Sequence, residues 1–201
     1  KLLDEASQQH AAGAGVDPAV RDFLWERAVH LFERRGFRTD EIRVVAALED
    51  GRRFLPFSLA RLEALRAMRD SDAFRSLASL FKRVKNITKS IPTDGLGSGV
   101  TFEQLRAPLR EPAELALVDE LRERWPAVES ALQRDRLSDA MHQLAALYPA
   151  VDRFFTDVLV MAEDPGLREG RLRLLTHLRS LVLERIGDIS EIASEEKVAQ
   201  P

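Results

Sequence analysis

Residues 71–89 read SDAFRSLASLFKRVKNITK. On a wheel of 100° per residue, Phe74, Leu77, Leu80, Phe81, Val84 and Ile87 fall within an arc of about 140°. Ser71 stands ahead of them as an N-cap. The stretch therefore reads as an amphipathic helix with one wall in a core. Over residues 74–89 the opposite arc, about 120° wide, carries Arg75, Ser79, Lys82, Arg83, Asn86 and Lys89, with Lys85 at its edge and no acid. Exposed structural helices usually mix signs, because each i,i+4 acid–base pair adds about 0.2–0.5 kcal/mol. Here the cations repel one another without that relief, so an anionic surface is expected opposite them.

Working outward, the helical period continues on both sides. Asp17-Pro18 opens a helix in which Val20, Phe23, Leu24, Ala28 or Val29, and Leu31 recur at helical spacing up to Gly36. Thr39-Asp40 caps a short helix through Leu48, closed by Asp50-Gly51, and Pro56 with Ser58 opens another through Met68. Beyond the basic helix, SIPTDGLGSGV at 90–100 is a loop by its glycines and proline. Thr101 with Gln104 is a capping-box signature, and Glu111-Pro112 starts a long helix in which Trp125-Pro126 predicts a kink or restart. Ser138 opens a helix through Tyr148. Pro149 opens one through Phe154, Phe155, Val158 and Met161, and a last helix covers about 167–186. No segment sustains a period of two. The expected fold is all-α, a single helical bundle over 17–193. Residues 1–16 read as a weakly ordered lead-in or the remnant of a preceding segment, and 194–201 as a frayed tail. A first residue of Lys rather than Met suggests a piece of a longer chain.

Composition narrows the chemistry. Among 201 residues there is no cysteine, which excludes disulfides, a thiolate nucleophile and Cys-ligated metals. The four histidines are scattered without metal-ligand spacing, so neither a metal site nor a bound cofactor is expected. There is no GxxxxGK[ST] loop and no GxSxG, and hence no candidate catalytic residue. Glu163-Asp164 reads as two solvated acids before a Pro165-Gly166 turn, near a helix start. His142 and His177 read as surface or satisfied core residues, and Phe102 and Trp125 as packing. No apolar run reaches the roughly 18 residues of a membrane span, and a soluble, cytoplasmic protein is expected.

Charge is unevenly spread. The whole chain carries −3, yet Arg52–Lys89 holds ten Lys/Arg against three Asp/Glu. A confined basic surface suits either a phosphate backbone or the acidic face of a partner subunit. Asn86 adds an amide that offers a donor and an acceptor together, as reading a base edge requires.

Several separated segments, in order, resemble the anticodon-binding region at the C-terminal end of bacterial glycyl-tRNA synthetase β subunits. Phe81–Ile87, FKRVKNI, is similar to their KR(I/V)xNI, and Arg61–Phe74 to the stretch before it. Glu111–Leu117 resembles EPAE-x-AL, and LYPAVDRFFTDVLVMAE at 147–163 resembles their VD-x-FFD-x-VMVMAED, with Asp164 continuing it. Leu167–Leu175 fits LR-x-NRL-x-LL, except that Gly170 stands where Asn is frequent. Gly36–Asp40 with Val44–Leu48, and Ile186–Ile192, are similar to further family segments.

The resemblance implies a DALR-like helical anticodon-binding domain. It implies glycine tRNA, held at its anticodon loop, as ligand, with no DNA and no membrane partner. The ATP and magnesium of the ligation reaction would belong to a catalytic α subunit in an α2β2 heterotetramer. Every glycine codon begins GG, so the second and third anticodon bases are cytosines. Arg75, Lys82, Lys85 and Lys89 are then expected on phosphates, and Arg83 and Asn86 on a base or its ribose.

Overall fold

A computed structural model describes residues 18–48, 55–91, 100–134 and 136–192. The lead-in, the centre of the 90–100 loop, the Asp17 cap, the Asp50-Gly51 stop and the tail lie outside the described residues. Secondary structure in them is helical: α1 Pro18–Arg34, α2 Thr39–Ala46, α3 Leu55–Met68, α4 Asp72–Thr88, α5 Phe102–Arg106, α6 Pro112–Gln133, α7 Leu137–Ala145, α8 Tyr148–Asp157 and α9 Pro165–Arg185, then a 3-10 turn Ile189–Glu191.

Local signals place most of these boundaries. The Ser71 hydroxyl accepts the Phe74 N–H at 3.2 Å and starts α4. Thr101 and Gln104 cap α5 reciprocally. Asp164 accepts the N–H groups of Gly166 and Leu167 and starts α9; these bonds, Leu167 first, hold its carboxyl below the usual carboxylate range, with Arg110 and Arg168 adding to the effect. The acid pair before Pro165 is thus a solvated helix start, as its sequence suggests. Gly36 leaves α1 with φ +81°, the left-handed region glycine tolerates best. At α2 the cap sits one residue earlier than expected, because the Glu41 carboxylate folds back to accept the Arg38 N–H at 2.8 Å.

α6 packs against both α7 and α8, α9 lies across α4, and α3 meets α7, around a core that includes Leu62, Phe74, Leu117, Leu121, Phe154 and Leu174. Inside it, Glu114 accepts the N–H groups of Arg110 and Glu111 and pairs with buried Arg171. The same guanidinium donates to the Leu159 carbonyl at 2.7 Å.

Three expectations are corrected. First, α6 runs unbroken past Trp125-Pro126. Pro126 is on the exposed side, where water can take the carbonyl it leaves unbonded, and buried Leu121, Trp125 and Val128 hold both halves in the core. Second, α8 stops at Asp157. Residues 158–162 alternate instead: Val158, Val160 and Ala162 are buried, while Leu159 and Met161 are exposed. Arginines substitute for helical N–H donors here, Arg171 at Leu159 and Arg168 at the Ala162 carbonyl, 3.0 Å. Third, the α1 residues that recur at helical spacing are mostly outside. Trp25, Ala28 and Phe32 are buried, with ring contacts Trp25–Phe32 and Phe32–Phe37 at 6.2 Å, whereas Val20, Phe23, Leu24 and Leu31 are exposed.

Candidate nucleic-acid interface

α4 is the structural centre of the candidate site. Phe74, Leu77, Ala78, Phe81, Val84 and Thr88 are buried, and they seat the helix on α8, α9 and the 3-10 turn. This leaves Arg75, Ser79, Lys82, Arg83, Asn86 and Lys89 exposed along the opposite side. The two arcs read from the sequence are the two arcs of the folded helix. Trp125 is buried, and Phe102 packs edge-on to His177 at 6.0 Å, so both aromatics belong to packing.

Each basic group has its own setting. Arg75 reaches back to Asp72 at 2.6 Å, a solvated pair on the first turn. Lys82, Asn86 and Lys89 lie on the surface. The Arg83 guanidinium lies over the Phe155 ring, 4.3 Å from its centroid. Such a contact at an exposed site contributes about 0.5–1 kcal/mol and narrows the rotamers of an otherwise loose side chain. Lys85 is directed elsewhere, to Asp188 at 2.5 Å and Glu191 at 3.0 Å. Burial works to lower the Lys85 pKa. Hydrogen bonds to the two carboxylates, with their charge, override it and hold the ammonium above the ordinary lysine value. Its charge is matched within the fold, so it is left out of the phosphate-facing set proposed below.

At its far end α4 is tied from beneath. Buried Arg179 of α9 donates to the Thr88 carbonyl, to the Thr88 hydroxyl at 3.0 Å and to the Ile91 carbonyl at 2.6 Å. Desolvation draws the Arg179 pKa below the ordinary arginine value. Three acids of α6 are paired with arginines outside α4: Asp119 with Arg106 at 2.8 Å and Arg122 at 3.2 Å, Glu120 with Arg124 at 2.6 Å, and Glu114 with Arg171.

Sequence reasoning missed four residues that shape this face: Phe155, Arg179, Asp188 and Glu191. Only Phe155 carried a local signal. Two adjacent phenylalanines on an amphipathic helix cannot both point to its centre, and the second sits at the edge of the core. The other three act across 91 to 106 residues of chain, a range at which spacing carries no information.

Among the described residues no group of His, Asp or Glu is arranged to hold a metal ion, and no helix is long and apolar enough to cross a membrane. The chain is similar to proteins called glycine–tRNA ligase beta subunit. It is 37% identical over 197 residues to that of Ralstonia nicotianae, 36% over 198 to that of Acidobacterium capsulatum and 34% over 193 to that of Shewanella oneidensis. These alignments cover 94–96% of this chain. The chain spans about a quarter of the length of each relative, 27% in all three. Residues 77–194, which take in most of α4 and everything that packs behind it, match the DALR anticodon binding domain, and the chain belongs to that family.

Proposed function

We propose that this chain is the part of a glycine–tRNA ligase β subunit that holds the anticodon loop of glycine tRNA, and that the exposed side of α4 is the contact surface. The observation that carries the reading is one helix, most of it within an anticodon-binding domain, whose outer face exposes Arg75, Lys82, Arg83, Asn86 and Lys89 and whose one acid, Asp72, is paired with Arg75 on the first turn. Arg75, Lys82 and Lys89 contact phosphates, which positions the loop without reading it. Arg83, already over the Phe155 ring, offers a planar cation on which an unstacked base can rest, and Asn86 addresses the edge or ribose of one of the two cytosines. Ligation itself, with ATP and magnesium, belongs to an α subunit in a cytoplasmic α2β2 assembly, and this domain contributes by orienting the tRNA.

The test is a titration of the chain with labelled glycine tRNA and with a non-cognate tRNA at two salt concentrations. Lys82→Ala weakens binding to both and reduces the slope of log affinity against log salt by about one contact. An unchanged slope removes Lys82 from the interface. Absence of binding to either tRNA at low salt instead favours an acidic protein surface as the partner of α4.

A further inference from the structure

α1 has more apolar surface than its fold uses. Between Asp22 and Glu33 the acids and His30 lie in an arc of about 80°, and the remaining positions are apolar except Arg27. Arg27 itself lies over the Phe23 ring at 5.4 Å. Trp25, Ala28 and Phe32 turn one part of this wide apolar sector into the core. Val20, Phe23, Leu24 and Leu31 form the other part, an arc of about 100° that stays 48–57% exposed. A helix apolar over so much of its circumference is built to be covered on two sides.

The size of the uncovered part selects its occupant. Four half-exposed side chains present on the order of 400 Å², within the range of patches that prove functional on monomers. This is about half of the ~800 Å² per partner that a stable association of free chains buries. A second copy is therefore a poor fit, whereas a tethered partner loses far less freedom on docking. The relatives are nearly four times as long as this chain, so a polypeptide of their kind carries ample further chain. α1 also lies outside the 77–194 anticodon-binding match.

We infer that the Val20–Phe23–Leu24–Leu31 face of α1 is an interdomain dock, covered by an apolar surface elsewhere in the same full-length polypeptide. Arg27, set among these side chains over Phe23, favours an acidic group on that surface. The inference rests on reading the chain as part of a β-subunit polypeptide.

Carbene footprinting tests it on the wild-type full-length polypeptide and on the 201-residue chain, with exposed Leu159 as reference. Labelling of Phe23, Leu24 and Leu31 is expected to match the reference in the short chain and to be lost in the full-length one. Leu24→Glu/Leu31→Glu in the full-length polypeptide restores labelling of Phe23. Equal labelling in both proteins overturns the inference. So does protection already present in the short chain, which means that the chain covers the face itself or dimerises through it; a concentration-dependent mass identifies the dimer. The tRNA titration is run on the same proteins beside their Lys82→Ala versions, so loss of the dock and loss of the anticodon reading are separate results.

Discussion

Lys82 and Lys85 lie three positions apart on one helix, yet their surroundings give them different work. Lys85 is held by two carboxylates, and because its pKa is raised, the stability linked to the lysine's own titration is fully present below pH 10.5 and is lost as pH climbs through the folded-state value. Lys85→Met should cost at most about 1 kcal/mol in chemical denaturation, because more than a third of the side chain is in water. It should leave the salt slope of tRNA binding intact, the opposite signature to Lys82→Ala. Asn86→Ala should change a ratio instead: the preference for a stem-loop with two anticodon cytosines over one with those bases replaced falls by about 1–3 kcal/mol if the amide reads a base edge. Competition binding measures it, and an unchanged ratio excludes base reading by Asn86. Six polar positions of α4 were legible from the sequence because a helix converts spacing into faces. The role of Lys85 was not, since its two acids arrive from the far end of the chain.

At the scale of elements, the caps of α4 and α5 were legible because each bond spans three residues, whereas Pro165-Gly166, which reads as a turn, is the first turn of α9 behind the Asp164 cap. The end of α8 was not legible, because what stops it is a pair of arginines on the next helix. Gly170 illustrates the same divide. By comparison with the family it reads as a lost polar group. In the fold a Cβ there would lie 2.7 Å from the Pro108 ring, so the glycine lets α9 close against the turn after α5. Gly170→Asn is therefore expected to destabilise by about 1–3 kcal/mol in thermal or denaturant unfolding, as overpacking does. The α9 cap gives a pH signature. Asp164 has a lowered pKa, so its contribution is present above the ordinary carboxylate value and is lost as pH falls through the folded-state one. Asp164→Asn keeps an oxygen for the cap and removes the titration, so its stability should fall less steeply than that of wild type on acidification below pH 4, as followed by circular dichroism.

For the molecule as a whole, an all-α bundle was legible throughout, and the apolar side of α1 was not. Periodicity identifies an apolar face but says nothing of how many surfaces will cover it, and α1 has one face in the core and another in water. The basic face, by contrast, is local to one helix and was readable from the sequence. What the fold adds is its underside. A helix ends in bare carbonyls equivalent to about half a negative charge, which would push a polyanion away from Lys89. Arg179 reaches that terminus from the protein interior and cancels this repulsion where dissolved ions cannot follow. The absence of that repulsion should accordingly persist at ionic strengths that silence the surface lysines.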